Sequence, residues 1–305
     1  MNLLSDIQNL VANPVLTNEP LARHTTYGVG GPAQFYVNPA NRKDLLQVLE
    51  FCGKTNQQYF IIGHGTNLLV SDQGYAGLII SLAKSFKSLE ISAGKIIAET
   101  GLSLRRLVRE SLHNNLTGLE SLAGVPGTVG GAIKMNAGAF GTEISNFLVE
   151  VEVIDETGLI KSLSAAEIDF SYRRSSITNG QIITRARFEL AYGDPDQIKD
   201  HCDLANDKRI ASQPIDKRSA GSVFKNPRSD LAAGYLIDQC GLKGSKSGGA
   251  EISTKHANFI VNTGNATASD IIALINLAYH KVKKQFGIEL ELEIKTLGFA
   301  ERIIP

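Results

Sequence analysis

The chain has 305 residues, of which 43% are hydrophobic and 20% are charged, and its 31 basic residues balance its 31 acidic residues. This length predicts two or three domains, and the apolar content excludes a chain that is disordered throughout. A net charge of zero supplies no overall field for nucleic acid or for an anionic membrane. Three cysteines without a CxxC pair indicate neither a disulfide framework nor a metal site, which favours a cytoplasmic protein.

The elements predicted in chain order begin with a short amphipathic helix and a tether over residues 1–20. No apolar run reaches the length of a signal peptide or of a membrane span. Residues 21–193 read as short strands with two helices, the first capped by Asn41. Gly and Pro cluster at 192–197 and predict a boundary there. The rest reads as a long helix from Pro195, two further helices, a hairpin, and a closing strand in IELELEIKTLGF.

Three glycine clusters are candidates for nucleotide binding. The first is GVGGPA at 28–33, which no buried strand precedes and which a strand follows, so it predicts a tight turn and not a dinucleotide fingerprint. The second, IIGHGTNLLV, places Gly63 and Gly65 directly after an apolar strand. In such a loop the backbone N–H groups either converge on an anion or simply form a turn.

The third cluster, GVPGTVGGAIKMNAGAFG at 124–141, is the most informative. It holds six glycines and a single charged residue, Lys134, which is not the composition of a linker. Glycine serves where a backbone passes close to a ligand or takes a positive φ. Two such loops near strand ends predict a dinucleotide held by backbone amides, which suits a chain without net charge.

Six motifs occur in one order over about 250 residues: GHGTNLLV, AGVPGTVGGAIKMNAGAFG, SYRRSSI, GSVFKNP, GGAEISTKHANFIVN and LELEIK. Together they closely resemble the UDP-N-acetylenolpyruvoylglucosamine reductase family. The resemblance implies an α+β fold with a two-subdomain FAD-binding domain of the p-cresol methylhydroxylase and vanillyl-alcohol oxidase type at 21–193. A C-terminal α/β substrate-binding domain follows at 194–305.

The resemblance also implies the reaction. NADPH reduces noncovalently bound FAD, the enolpyruvyl sugar nucleotide then binds, and flavin N5 transfers hydride to its vinyl carbon during peptidoglycan precursor synthesis. Negative charge builds up beside the carboxylate and needs a stabilising group and a proton donor. The catalytic residues implied are Arg173 for the carboxylate, Ser222 as proton donor and Glu293. By alternation alone, Glu289, Glu291 and Glu293 share one face of a strand, and only the motif distinguishes Glu293.

The glycine loops and the resemblance together give two sets of binding residues. The predicted cofactor contacts are Gly63, His64, Gly65, Thr66, Asn67, Gly124, Val125, Pro126, Gly127, Thr128, Gly130, Gly131, Asn136, Ala137 and Gly138. The predicted substrate contacts are Gln213, Lys217, Lys225 and Asn226. No metal, nucleic acid or membrane partner is expected, and the predicted state is a monomer.

Two features depart from the family pattern, and other functions stay open. His64 and Thr66 stand where the first glycine loop usually has glycine and serine. Only 49 positions separate Arg173 from Ser222, so the chain resembles the short type, which lacks an inserted tyrosine loop. The alternatives are an FAD-dependent oxidase of an alcohol or hydroxy acid on the same fold and a non-catalytic nucleotide-binding module. A Rossmann dehydrogenase is disfavoured by the context of GVGGPA.

Overall fold

We describe the fold from a computed structural model, in which residues 3–304 are described. Seven α-helices lie in this part of the chain. They are α1 (Leu3–Gln8), α2 (Arg42–Thr55), α3 (Leu104–His113), α4 (Val129–Lys134), α5 (Pro195–Ser212), α6 (Ala233–Gln239) and α7 (Ala268–Phe286).

Many short strands accompany the helices, which makes this an α+β fold, as predicted. They are β1 (Leu16–Pro20), β2 (Pro32–Val37), β3 (Tyr59–Ile62), β4 (Leu68–Val70), β5 (Tyr75–Ser81), β6 (Leu89–Ser92), β7 (Lys95–Glu99), β8 (Leu116–Thr117), β9 (Gly138–Ala139), β10 (Thr142–Glu143), β11 (Leu148–Ile154), β12 (Ile160–Ser164), β13 (Phe170–Ser171), β14 (Arg174–Ser175), β15 (Ile182–Glu189), β16 (Ala191–Tyr192), β17 (Lys246–Ser247), β18 (Ala250–Ile252), β19 (Ile260–Asn262) and β20 (Lys295–Leu297).

The chain divides into two compact units. The first unit comprises the residues up to Thr17, Phe35–His64 and Gly77–Arg209. The second unit comprises Asn18–Gln34, Gly65–Ala76 and the chain from Ile210 onwards. The domain limits expected from the sequence stay a prediction.

An antiparallel five-stranded sheet is the centre of the first unit, with the order β12-β11-β15-β7-β6. Its buried face carries Val151, Ala186 and Ile96, and α3 packs there through Leu107. Alternation explains the sheet, because inward residues of β11 and β15 are apolar while their neighbours are mostly polar. The sheet therefore supplies a rigid platform beside the glycine-rich segment 124–138.

A second core in the first unit lies under α2. Asn41 caps this helix by accepting a hydrogen bond from the N–H of Asp44. The buried face of α2 includes Leu45 and Cys52, and it packs near β3 and β5, which pair in parallel. Sequence spacing predicts both the cap and this face, and the structure confirms them.

The second unit is organised around α7. The cap residue Thr267 accepts a hydrogen bond from Asp270 N–H, and Gly287 ends the helix in the left-handed conformation. Asp72 accepts further hydrogen bonds from the N–H groups of Ala268 (2.7 Å) and Ser269 (3.0 Å). The buried face of α7 packs against α6 and the antiparallel strands β17-β18-β19.

Two sequence expectations differ from the structure. The glycine-rich segment at 124–141, for which the sequence analysis gives no helix, contains the short helix α4, which Thr128 caps through Gly131 N–H (3.3 Å). The predicted closing strand in IELELEIKTLGF does not form over most of its length. Only Lys295–Leu297 forms a regular strand, parallel to β4, and upstream of it Leu292 makes a single bridge to Phe224.

Candidate active site

The two glycine loops meet within the first unit. A Cβ atom on Gly63 would lie 2.5 Å from Oγ1 of Thr128, so only glycine fits at this point without a shift of its neighbour. Next to it, the His64 side chain hydrogen-bonds to the backbone of Gly127. Burial lowers the pKa of His64, Lys87 lowers it further, and the Gly127 bond opposes both effects. The His64 side chain therefore links the two glycine loops.

The segment 124–128 has the geometry of an anion cradle. Gly124 and Gly127 have φ values of +81° and +132°, which residues with a side chain rarely adopt. The N–H groups of Gly127 and Thr128 donate to no acceptor within residues 3–304. Adjacent backbone donors of this kind bind phosphate oxygens without a charged side chain. These residues thus fit the pyrophosphate of a dinucleotide such as FAD.

Arg173 occupies the tip of a tight hairpin in the first unit. Strands β13 and β14 pair Ser171 with Arg174, so that Tyr172 and Arg173 form the turn. Arg173 has a φ of +58°, where glycine or asparagine is usual. Its Nη2 donates to the carbonyl of Gly138 (3.0 Å), and its guanidinium lies 4.9 Å from the Tyr172 ring. The guanidinium is thereby held beside the glycine-rich segment.

The sequence analysis missed a second arginine near this place, Arg209 of α5. Its Cδ and Nε would lie 3.3 and 3.7 Å from a Cβ on Gly124. Burial lowers the pKa of Arg209, and the charge of Arg173 lowers it further, so the two guanidinium groups are neighbours. The signal was present in the sequence. Arg209 continues the buried stripe of Ile198, Cys202 and Ala205 at helical spacing.

Ser222 and Glu293 are brought together in the second unit by backbone pairing. The carbonyl of Val223 accepts from Glu293 N–H (2.8 Å), and the carbonyl of Glu291 accepts from Lys225 N–H (2.8 Å). Ser222 is half-buried, and its hydroxyl has no hydrogen-bond partner within the described residues. The backbone pairing therefore places the segments that carry Ser222 and Glu293 side by side.

The second half of the first glycine loop also lies in the second unit. The Gly65 carbonyl accepts from the N–H of Thr26 (3.1 Å), and a Cβ on Gly65 would collide with the backbone of His24. Asn67 Nδ2 donates to the carbonyl of Glu293 (3.2 Å), while the Asn67 carbonyl accepts from Lys295 N–H (2.9 Å). The predicted cofactor residue Asn67 is therefore tied directly to the segment of Glu293.

The predicted substrate contacts lie on neighbouring loops of the second unit. Lys225 forms an ion pair with Glu291 (2.5 Å), and Asn226 accepts a hydrogen bond from the first N–H of α6 (3.1 Å). Lys217 is exposed and Gln213 is half-buried, with Lys217 N–H donating to Pro214 in the turn between them. Their roles toward a substrate stay predictions.

Within residues 3–304, no group of three or more His, Cys, Asp or Glu side chains has an arrangement that could hold a metal ion. None of the helices in this same part of the chain has the length and apolar character needed to cross a bilayer.

Comparison with known proteins decides the family. A family model described as "UDP-N-acetylenolpyruvoylglucosamine reductase, C-terminal domain" matches residues 213–297, and one described as "FAD binding domain" matches residues 33–164. A UDP-N-acetylenolpyruvoylglucosamine reductase of Carboxydothermus hydrogenoformans is 44% identical over 97% of this chain and 98% of its own length. One from Clostridium tetani is 42% identical over 96% of this chain and 95% of its own. The chain belongs to the UDP-N-acetylenolpyruvoylglucosamine reductase family.

A solved structure supports this membership. The UDP-N-acetylenolpyruvylglucosamine reductase of Thermus caldophilus superposes with a TM-score of 0.81 at 36% identity, covering 93% of this chain and 98% of that one. p-Cresol methylhydroxylase superposes with a TM-score of 0.56 at 10% identity, which shows a shared fold alone. The resemblance and the fold class read from the sequence are thus both confirmed for this reductase family member, and the oxidase alternative is not favoured.

Proposed function

We infer that this chain is an FAD-dependent enzyme that uses NADPH to reduce UDP-N-acetylglucosamine enolpyruvate to UDP-N-acetylmuramate, in peptidoglycan precursor synthesis. The observation that carries the inference is 44% identity, over nearly the full length of both chains, to a UDP-N-acetylenolpyruvoylglucosamine reductase. In addition, the segments that carry the serine and glutamate motifs pair with each other through backbone hydrogen bonds. We propose Arg173, Ser222 and Glu293 as the catalytic residues.

The cofactor would be held by the two glycine loops. The N–H groups of Gly127 and Thr128 would donate to the pyrophosphate, and Gly63 and Gly124 would let the backbone approach it closely. His64 would support the loops and not bond covalently to the cofactor. When bound, FAD takes up hydride from NADPH and supplies it to the vinyl carbon of the substrate.

The side chains of the chain would control charge and proton in the second half of the reaction. As hydride reaches the vinyl carbon, negative charge builds on the neighbouring carbon and its carboxylate. Arg173, reinforced by the charge of Arg209, would bind and stabilise that carboxylate. Ser222 would donate the proton to the carbon that bears the ether oxygen, and Glu293 would orient that proton path.

The remaining predicted contacts would serve the sugar nucleotide. Lys225, its Nζ held by Glu291, would meet the diphosphate together with Lys217, and Gln213 and Asn226 would complete the polar lining. We also propose that the enzyme acts as a monomer in the cytoplasm, which suits the three free thiols. Light scattering of the purified protein tests the monomer.

An anaerobic two-step experiment tests the function. We expect the purified protein to be yellow, to bleach with NADPH, and to regain its colour when the enolpyruvyl sugar nucleotide is added. Recovery of colour with oxygen and not with the sugar nucleotide would favour the oxidase. An NADPH-inert protein would favour a binding module. Release of the yellow colour on acid precipitation tests the noncovalent link.

A further inference from the structure

The backbone conformation of Asn136 does not by itself account for the presence of an asparagine side chain. It follows α4 with a φ of +43°, and its N–H donates to the carbonyl of Ile133 (3.1 Å), which ends the helix. Glycine takes this left-handed conformation at no steric cost, and asparagine tolerates it better than most residues that carry a side chain. The backbone alone would therefore accept glycine as well as asparagine.

The buried side chain of Asn136 shows what glycine would lose. Its Nδ2 donates to Oε2 of Glu143 (2.6 Å) and to the carbonyl of Ser171 (3.1 Å). Both partners are acceptors, which fixes the orientation of the amide. The other amide atom, Oδ1, is buried without a hydrogen-bond partner within the described residues, a cost in stability. The two donated hydrogen bonds are what the asparagine side chain contributes at this position.

One of these bonds reaches the hairpin of Arg173. Ser171 is the last residue of β13, directly before the turn of Tyr172 and Arg173. Arg173 is itself in the left-handed region, and such a residue persists only where its surroundings over-determine it. The Asn136 bond holds one side of the turn, and the Arg173 bond to the Gly138 carbonyl holds the other.

The second hydrogen bond of Asn136, to Glu143, connects it indirectly to the residue that binds Arg173. Glu143 accepts from Asn136, and its Cγ would lie 3.0 Å from a Cβ on Gly138, the residue whose carbonyl accepts from Arg173. Glu143 thus touches both the amide that holds the hairpin and the backbone that holds the guanidinium. A shift of Asn136 therefore moves Arg173 relative to the glycine-rich segment.

We propose that Asn136, oriented by Glu143, is a positioning residue that holds the hairpin of Arg173 in the conformation that presents its guanidinium to the substrate carboxylate. This proposal rests on the proposed function of Arg173. Asn136 does not itself touch the substrate, because it is fully buried.

The test uses the FAD-loaded enzyme and the variant Asn136→Gly, which is compatible with the left-handed backbone and removes the side chain with both hydrogen bonds that it donates. We expect amide hydrogen exchange in residues 170–175 to rise by about two- to tenfold, the worth of one hydrogen bond. Reoxidation by the enolpyruvyl sugar nucleotide should slow by about tenfold, since small displacements of a positioning group are costly. Reduction by NADPH should slow less than reoxidation, because the substrate carboxylate takes no part in that step, and the melting temperature should fall only by the amount expected for the two lost hydrogen bonds.

Matched variants separate positioning from general damage. Glu143→Gln keeps an acceptor for Asn136 and should stay within about threefold of wild type, while Glu143→Ala should behave like Asn136→Gly. In an Arg173→Lys background, Asn136→Gly should slow reoxidation no further, because both changes act through one guanidinium. Multiplicative losses in that double variant, or unchanged exchange in residues 170–175, would overturn the proposal. A wild-type protein that never reoxidises with the sugar nucleotide would instead refute the proposed function. The hydrogen-exchange result does not depend on that function, and it would still test whether Asn136 holds the hairpin.

Discussion

Substituting Gly63 by alanine tests the contact between the two glycine loops. The new Cβ would lie 2.5 Å from Oγ1 and 3.2 Å from Cγ2 of Thr128, which is itself buried and caps α4. Thr128 has little freedom to move, so the overlap must separate the loops. Overpacking of this kind costs about 1–3 kcal/mol, which corresponds to about five- to 150-fold weaker FAD binding if it falls on the bound state.

The assay is titration of the apoprotein with FAD, followed by flavin fluorescence, beside thermal unfolding of the same variant. Gly53→Ala is the matched control: Gly53 lies within α2 and a Cβ there meets nothing within 4 Å, so this change should leave the FAD affinity intact and stabilise the helix by up to about 1 kcal/mol. Thr128→Ala removes the colliding oxygen and should recover part of the affinity of Gly63→Ala. An unchanged dissociation constant in Gly63→Ala would show that the loops are not in contact when FAD binds.

Three further results are expected. Ser222→Ala should slow reoxidation by the enolpyruvyl sugar nucleotide by about 10²–10⁴-fold and leave reduction by NADPH intact, as stopped-flow absorbance can check; equal slowing of both steps would contradict its role. Asp72→Ala leaves the Thr267 cap in place but removes the carboxylate that accepts from the N–H groups of Ala268 and Ser269, and it should lower the unfolding free energy in denaturant by about 1–3 kcal/mol; an unaltered midpoint would argue against it. Burial raises the pKa of Cys52 to about 12 and of Cys202 to about 11, and the unfolded thiols ionise first as pH rises. The free energy of unfolding should therefore decline above about pH 9. At pH 8 a disulfide reagent should label the less buried Cys240 first, and early labelling of Cys52 would contradict this burial.

The helices were readable because their ends are marked by local chemistry. Thr267 and Gly287 bound α7, and Asn41 bounds α2, each through a hydrogen bond or a left-handed residue within a few positions. Such signals need no knowledge of the rest of the fold. The resemblance to the family extended this local reading to the catalytic motifs and to the cofactor.

The glycine-rich segment resisted sequence analysis because its helix is held by distant residues. Gly130 and Gly131 are poor helix formers. The carbonyls of Thr100 and Leu102 accept hydrogen bonds from Gly130 and Val129, and they fix the first turn of α4 from outside. Propensity within the segment carries no record of these partners. For Arg209, helical spacing predicts the buried face of α5, but its contact with Gly124 depends on how α5 lies against the loop.

The three glutamates near the C-terminus differ in the residues that surround them, although their spacing in the sequence is regular. Alternation along a strand gives Glu289, Glu291 and Glu293 one environment, but regular strand geometry begins only at Lys295. Glu289 pairs with Lys283 (2.7 Å) and Glu291 with Lys225 (2.5 Å), and both are exposed. Glu293 is half-buried, and its backbone is bound on two sides, by the carbonyl of Val223 and by the amide of Asn67. The backbone that carries the Glu293 carboxylate is therefore held on both sides, and its side chain is less exposed than those of Glu289 and Glu291, which supports the catalytic role that we propose for Glu293.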